Sequence, residues 1–134
     1  MMRKTLSKIA IGIESTAHTA GVGLITSEGK ILSNQRALYV PKEGGIHPRE
    51  AANHHSEKLP YLFKAALEEA KLTPTDISLV SYARGPGLGP CLRTGATAAR
   101  AFAYSNDIPL LGVNHCVAHL EIGLLEGATD PVLL

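Results

Sequence analysis

The chain has 134 residues, of which 45% are hydrophobic and 19% charged, and its formal net charge is +1. This length suits one domain with a core or one lobe of a larger protein, and the composition is that of a soluble globular protein. The charge excludes bulk attraction to nucleic acid, so any contact with RNA has to use local patches.

The cysteines and the N-terminal residues indicate in which cellular compartment the protein is expected. Cys91 and Cys116, without a secretory leader, predict free thiols in a reducing, cytoplasmic setting. The basic start, residues 1–8, precedes an apolar stretch that is too short for a membrane span and is followed by Glu14. We therefore expect neither a signal peptide nor a membrane segment.

Three strands are predicted at the start of the chain, at residues 8–14, 20–26 and 31–40. Their apolar residues alternate with small or polar ones, as in half-buried strands. The connections between them are short and rich in turn residues, which predicts an antiparallel meander. A loop containing Gly44-Gly45 follows at residues 41–48.

Helices and strands alternate in the rest of the chain. Pro60 is expected to kink the first helix or to start a new one. The predicted elements are a helix from Pro48 to Lys71, a strand from Ile77 to Ala83, a helix from Cys91 to Asn106, a strand from Pro109 to Val113, a helix from His115 to about Gly127, and the beginning of a strand at Pro131–Leu134.

The predicted order, βββαβαβα, indicates an α/β fold with a mixed five-stranded sheet and flanking helices. Right-handed crossovers place the fourth and fifth strands parallel to the first strand and on its side of the sheet. We expect residues 1–134 to form the N-terminal lobe of a two-lobed protein.

His115 and His119 are four residues apart at a predicted strand-to-helix junction. On a helix, this spacing sends both imidazoles from one face, one turn apart, so they can offer two nitrogens to one metal ion. A stable site needs a third ligand from elsewhere. Ordinary interior or interface histidines are the alternative, although ligands in α/β proteins favour the carboxyl ends of strands.

Two polar or glycine-rich segments are further candidates for ligand binding. Residues 14–19 form a polar turn between the first two strands, which either approaches nucleotide phosphates or is simply a good turn. Residues 84–90 contain three glycines and two prolines, so their backbone can approach a ligand or another chain segment closely. The adjacent His54 and His55 are expected to be surface histidines, because neighbours on a helix face different ways.

Together these segments resemble the TsaD-type tRNA threonylcarbamoyltransferase family, in its archaeal-eukaryotic branch. Its members were formerly described as O-sialoglycoprotein endopeptidases and form the catalytic subunit of the KEOPS complex. Four matching segments occur in the family's order: Gly12-Ile13-Glu14-Ser15-Thr16-Ala17-His18-Thr19, residues 44–52, residues 84–96, and Asn114-His115-Cys116-Val117-Ala118-His119-Leu120-Glu121.

The resemblance implies an RNase H-like lobe of the actin, Hsp70 and sugar-kinase (ASKHA) fold. It implies transfer of threonylcarbamoyl from threonylcarbamoyl-AMP to the adenosine 3′ of the anticodon, in tRNAs reading ANN codons. His115 and His119 match the family's metal pair, with iron favoured over zinc. An adenine nucleotide, threonylcarbamoyl-AMP or ATP, is the expected ligand. The positions assigned to nucleotide or substrate binding are Glu14, Thr16, His18 and Asn114.

The implied partners are tRNA as substrate and two KEOPS subunits. The small dimerising subunit is expected on the helical region 48–71. There, Leu59, Leu62, Phe63 and nearby apolar residues are expected partly to cover the sheet and partly to line the interface. The Bud-type kinase subunit is expected to contact the body of the protein. The remaining metal ligands and nucleotide loops of the family belong to a C-terminal half, so the 134-residue chain alone is expected to be inactive.

Three other readings remain open. A metallopeptidase normally has a glutamate directly after the first histidine of such a pair, as in His-Glu-x-x-His, whereas this chain has Cys116 there. A scaffold lobe that only binds partners would not need the histidine pair. A sugar or acetate kinase has no use for that pair either.

Overall fold

The computed structural model describes residues 7–129, and the strand predicted at 131–134 lies outside them. The described elements follow the predicted order, with one short 3₁₀ turn at Pro74–Asp76. They are β1 (Ile9–Ser15), β2 (Thr19–Thr26), β3 (Ile31–Leu38), α1 (Pro48–Ala70), β4 (Leu79–Gly85), α2 (Gly89–Ser105), β5 (Leu110–Asn114) and α3 (His115–Leu125).

The five strands form one sheet in the order β3-β2-β1-β4-β5. β1 and β3 are both antiparallel to β2, whereas β4 is parallel to both β1 and β5. The predicted mixed sheet is therefore confirmed, including the position of β4 beside β1. This order follows from chain connections: hairpins join the antiparallel strands, and helical crossovers join the parallel ones.

One face of the sheet carries the core. Ile11 and Ile13 alternate along β1 with residues on the other face, and both are buried. Helices α1 and α2 pack over this face and over each other. The core cluster consists of Ile11, Ile13, Ala20, Val22, Leu24, Leu59, Leu62, Ala66, Ile77, Val80, Ala99 and Ala103.

Helix α1 is a single helix of 23 residues that continues through Pro60, so the prediction that a new helix starts at Pro60 is wrong. Pro60 is exposed, and the buried positions on α1 form one stripe that runs past it on both sides, at Ala51, His55, Leu59, Leu62 and Ala66. Proline removes one helical hydrogen bond. Packing of this stripe against the sheet outweighs that loss.

Helix α2 approaches the sheet closely because its inner face is made of small residues. Cys91, Gly95, Ala99 and Ala103 are its buried positions, four residues apart. A Cβ atom at Gly95 would lie 2.8 Å from the Cβ of Ser15. The helix therefore rests directly on the end of β1, and it begins at Gly89, two residues earlier than predicted.

The opposite face of the sheet is more open. Gly12 on β1 pairs with Gly23 on β2, so the middle of this face has almost no side chains. Helix α3 borders this face, and several of its apolar side chains are exposed, namely Val117, Ile122, Leu124 and Leu125. No helix within residues 7–129 is long and apolar enough to cross a membrane.

Candidate metal centre

Three metal-ligating side chains meet at the carboxyl ends of the parallel strands. Glu14 is the penultimate residue of β1, and His115 and His119 lie on α3, directly after β5. Only β4 separates β1 from β5 in the sheet. One donor atom from each of the three side chains lies within 4.8 Å of the other two. Glu14 thereby supplies the third donor that the histidine pair lacks in sequence.

The two imidazoles have a spacing that suits one shared ion. Their Nε2 atoms are 3.3 Å apart, and their rings meet edge to face at 82°. Two nitrogens bound to one tetrahedral metal at about 2.0–2.1 Å are themselves about 3.3 Å apart. A hydrogen bond between the two nitrogens at this distance would be longer than usual. The geometry and the donor set therefore fit a metal ion.

Asn114 fixes the start of the helix that carries both histidines. It is the N-cap of α3, and its side-chain oxygen accepts hydrogen bonds from the backbone N–H groups of Cys116 (2.9 Å) and Val117 (3.2 Å). An N-cap of this kind satisfies helix donors that have no other partner. The structure thus assigns the side-chain oxygen of Asn114 to orienting His115, and contact with a nucleotide remains a prediction.

Thr16 orients the carboxylate of Glu14. The Thr16 hydroxyl donates to Oε1 of Glu14 at 3.3 Å, and Thr16 itself is only 4% exposed. Its carbonyl oxygen accepts a hydrogen bond of 2.7 Å from the backbone N–H of Leu88. The buried hydroxyl of Thr16 therefore helps to orient the Glu14 carboxylate by hydrogen bonding. His18, two residues further on, is exposed and is not part of the three-residue cluster.

The glycine-rich loop approaches the same turn of the chain. A Cβ atom at Gly87 would lie 2.7 Å from the carbonyl oxygen of Thr16, closer than real Cβ atoms come to a neighbour. Glycine is needed here because the loop packs against the β1–β2 turn. Of the two possibilities that the sequence leaves open, the structure shows the close approach to another chain segment.

His55 is fully buried, so its prediction as a surface histidine is wrong, whereas His54 beside it is half-buried. The side chain of His55 reaches the turn that follows Glu14, where its Nε2 lies 2.7 Å from the carbonyl oxygen of Ala17. The buried thiol of Cys91 lies 3.6 Å from the same oxygen, and burial raises its pKa. Sequence periodicity missed His55 because it treats histidine as polar, although its position continues the buried stripe of α1.

A cavity of about 290 Å³ opens beside the three donors. Its floor is the glycine-rich face of the sheet, including Gly12 and Gly23, where no side chain fills the space. Arg36 on β3 also lines it and contributes a positive charge. A metal ion held by Glu14 and the two histidines would have a coordination position facing a space of small-molecule size.

The strand order, the helices on one face and the ligand cluster at the strand ends define an RNase H-like α/β lobe with a candidate metal centre. Two solved structures share this fold. YeaZ from Pseudomonas aeruginosa matches with a TM-score of 0.70 and 16% identity, over 90% of this chain and 49% of its own. RuvC from Thermus thermophilus, solved with a Holliday junction substrate, matches with a TM-score of 0.54 and 13% identity, over 94% and 83%.

The profile of the family TsaD, tRNA N6-adenosine threonylcarbamoyltransferase, matches residues 29–134, and the chain belongs to this family. The threonylcarbamoyltransferase of Methanopyrus kandleri is 58% identical over 91% of this chain, and that of Ignicoccus hospitalis 56% over 92%. A probable bifunctional tRNA threonylcarbamoyladenosine biosynthesis protein of Methanosphaera stadtmanae is 54% identical over 94%. The matched regions span 36%, 38% and 24% of these relatives.

Proposed function

We propose that this chain is part of an enzyme that transfers threonylcarbamoyl from threonylcarbamoyl-AMP to N6 of the adenosine 3′ of the anticodon, in tRNAs reading ANN codons. Family membership and the names of the archaeal relatives support the reaction class. The observation that carries the proposal is the cluster of Glu14, His115 and His119 beside an open cavity.

In the proposed site, Glu14, His115 and His119 hold one divalent cation. Two imidazoles and one carboxylate with open positions occur both in non-haem Fe(II) sites and in catalytic zinc sites. Iron is proposed over zinc on the family resemblance. When bound, the ion supplies Lewis-acid and template chemistry. The protein's own contribution is to preset the three donors, through the Asn114 cap on one side and the Thr16 hydrogen bond on the other.

The proposed second ligand is an adenine nucleotide, threonylcarbamoyl-AMP or ATP, in the cavity beside the donors. Its glycine floor allows a flat ring system to approach the backbone closely. His18 is exposed on the adjoining turn and is proposed to contact the nucleotide directly. Thr16 and Asn114 are proposed to act indirectly, by orienting Glu14 and α3.

The transfer needs little more than alignment and charge stabilisation. The lone pair of the adenosine N6 amine attacks the carbamoyl carbon, the bond from that carbon to the AMP oxygen breaks, and AMP leaves with the electron pair. The nitrogen then loses one proton to solvent water. Arg36, which lines the cavity, is proposed to stabilise negative charge on the substrate there.

The proposed reaction belongs to a longer protein, because this chain spans well under half of its curated relatives. Residues 1–134 are proposed to be its N-terminal lobe, with a second lobe closing the nucleotide site. The 134-residue chain is then inactive alone. The proposed setting is the cytoplasm, where both cysteines, which are free thiols in the structure, stay reduced.

The proposed partners are tRNA and the KEOPS subunits, with the small dimerising subunit on α1 and α2 and the kinase subunit on the body of the protein. A groove of about 700 Å³ between these helices supports the first assignment, with Phe63 and Phe102 stacked in its lining. Phe63 and the almost fully buried Leu59 both line this groove, whereas Leu62 is a buried residue of the core that does not line it. Tyr61, which is exposed on the same helix, is proposed as a further contact.

The alternative functions have less support. Glu14 is proposed as a metal ligand, and no glutamate stands between the two histidines as a general base. The curated relatives are named as threonylcarbamoyltransferases or biosynthesis proteins of the same modified nucleoside, not as peptidases or kinases.

The test uses the protein at the full length of its relatives, with His115→Ala as the variant and Glu121→Gln, an exposed change on α3, as the control. We expect His115→Ala to lose its bound metal and most formation of threonylcarbamoyladenosine in tRNA, measured by elemental analysis and nucleoside mass spectrometry. Its folding stability should change little, because His115 lies outside the core. Full metal content and full modification in this variant would refute the site assignment.

A further inference from the structure

His55 is a fully buried titratable group that the proposed reaction does not use. It lies on the inner face of α1, at 0% exposure, and its two ring nitrogens both have partners. Nε2 lies 2.7 Å from the carbonyl oxygen of Ala17, which is 38 residues earlier in the chain, and Nδ1 lies 3.0 Å from Nδ1 of His54. A buried histidine with both nitrogens engaged is held in one orientation.

The partners determine where the protons are. A carbonyl oxygen only accepts, so Nε2 of His55 must carry a hydrogen. In the neutral ring, Nδ1 of His55 is then an acceptor, and Nδ1 of His54 must donate to it. Burial, and then the neighbouring His55, lower the pKa of His54, which agrees with a neutral donor. When both rings are neutral, the two contacts therefore allow one arrangement of hydrogens.

The hydrogen bond from His55 reaches the turn between β1 and β2, three residues after Glu14. The same turn contains Thr16, whose hydroxyl donates to the Glu14 carboxylate. The other donor to the Ala17 carbonyl oxygen is the Cys91 thiol at 3.6 Å, a weak and distant one. His55 is thus the closer of these two side chains to the Ala17 carbonyl oxygen, and it connects helix α1 to the turn that contains Thr16.

We propose that His55 is a positioning residue for the metal centre: by holding Ala17 it fixes the turn, and through Thr16 it sets the carboxylate of Glu14. The proposal rests on the proposed metal centre. Partners behind the direct ligands of metal sites commonly change metal affinity by about 10–100-fold when removed. The His54 ring extends the same chain outward, 5.7 Å from the ring of Tyr39, whose hydroxyl donates to Glu50 at 2.7 Å.

Two polar variants separate positioning from simple filling of the core. In His55→Gln the amide nitrogen lies about where Nε2 lies in histidine and is able to donate to Ala17, whereas the side chain of His55→Asn is one methylene too short. Zn²⁺ alone is titrated into each 134-residue variant by calorimetry. Leu62→Ala, a core truncation about two turns along the same helix, controls for lost stability.

We expect His55→Asn to bind Zn²⁺ about tenfold more weakly than the parent, with His55→Gln and Leu62→Ala within about threefold of it. Hydrogen exchange of the amides at residues 16–19 should rise in His55→Asn only. The ¹⁵N spectrum of the parent should show His55 protonated at Nε2 and unprotonated at Nδ1.

Equal Zn²⁺ affinity in the Gln and Asn variants would overturn the proposal about His55. Absence of Zn²⁺ binding by the parent would instead refute the metal centre as proposed. In that case the exchange measurement decides on His55: unchanged exchange in His55→Asn would refute its hold on the turn, and faster exchange would support it.

Discussion

The chemical role of Glu14 depends on which side chains the fold brings next to its carboxylate. In sequence it is one acidic residue in a polar turn, but in the structure its carboxylate meets two imidazoles and accepts a hydrogen bond from Thr16. The hydrogen bond and a bound cation require different properties of this side chain. The hydrogen bond needs only an oxygen acceptor, whereas a cation needs the negative charge.

Glu14→Gln separates these two needs, because it keeps the side-chain shape and an oxygen for Thr16 but removes the charge. We expect the affinity of the 134-residue chain for Zn²⁺ to fall by at least about tenfold, since losing even an indirect partner of a metal site costs that much. Calorimetric titration measures it. An unchanged affinity would mean that the histidine pair binds without Glu14.

Gly87→Ala tests the contact between the glycine-rich loop and the turn. The added Cβ would lie 2.7 Å from the Thr16 carbonyl oxygen, so the loop must move. We expect the free energy of unfolding to fall by about 1–3 kcal/mol, as for other overpacked sites. Urea denaturation followed by circular dichroism measures the change.

Gly89→Ala is the matched control, two residues further on. A Cβ there meets nothing within 4 Å, and the residue is the first of α2, where alanine is the better helix former. Its stability should equal or slightly exceed that of the parent. Equal stability of the two variants would show that the loop does not pack against Thr16 in solution.

The sequence pattern identified some residues of the candidate site and missed others, for a physical reason. The spacing of His115 and His119 predicted their shared face, because helix geometry is local. The meeting of Glu14 with this pair depends on which strands are neighbours, and no local pattern contains that. His55 was missed because its burial depends on a carbonyl group 38 residues away that satisfies its polar ring.

Among the elements, α1 and β3 are joined by a polar contact at their exposed side. The Ser33 hydroxyl and the Gln35 amide both donate to the Glu69 carboxylate, and these hydrogen bonds hold the pKa of Glu69 below its usual 4.5. A carboxylate with a lowered pKa stabilises the fold above the unfolded-state value. That contribution is lost as the pH falls through the folded-state pKa.

Glu69→Gln should therefore destabilise the chain at neutral pH and converge with the parent in acid. The measurement is the free energy of unfolding from urea denaturation at neutral pH and at about pH 3. Glu68→Gln is the control, because the Glu68–Lys64 ion pair is exposed at both ends, with a separation of 3.8 Å. If the Glu69 and Glu68 variants behaved alike at both pH values, the contact with β3 would have no energetic role.

Helix α1 also shows where an element-level rule fails. Proline at position 60 predicts a kink or the start of a new helix, since it lacks an N–H and crowds the preceding turn. The helix nevertheless continues, because Leu59 and Leu62 on either side of Pro60 are both buried against the sheet. The tertiary contacts that decide the matter are not part of the local sequence pattern.

For the whole molecule, the strand order was predictable because it follows from connection lengths and the handedness of crossovers. The open face of the sheet could not be predicted from the sequence. Gly12 and Gly23 look like ordinary small residues in their strands, and only the register of β1 against β2 places them side by side under the cavity.

The outer surface of α1 and α2 supports a prediction about the proposed small KEOPS subunit. Tyr61 and Tyr104 are 73% and 93% exposed, and large aromatic residues are common anchors of interfaces. We expect Tyr61→Arg with Tyr104→Arg to weaken binding of that subunit by at least about tenfold, which is about 1.4 kcal/mol. Calorimetry with the purified subunit measures it.

Val40→Arg, a change at an apolar residue that is 69% exposed and lies just after β3, is the control and should leave binding unchanged. If the double tyrosine variant bound as tightly as the parent, the subunit would have to dock elsewhere.

The distance in sequence between Glu14 and the histidine pair has a consequence for biosynthesis. Glu14 lies about a hundred residues before the histidine pair along the chain, and the three side chains come together only once β5 has joined the sheet. At about 5–20 residues per second, a ribosome needs roughly 5–20 s to make the intervening segment. During that interval the nascent chain presents one carboxylate and no histidine pair, which is too little to capture a transition metal. The order of synthesis therefore means that the three proposed ligands can bind one ion together only after the sheet is complete.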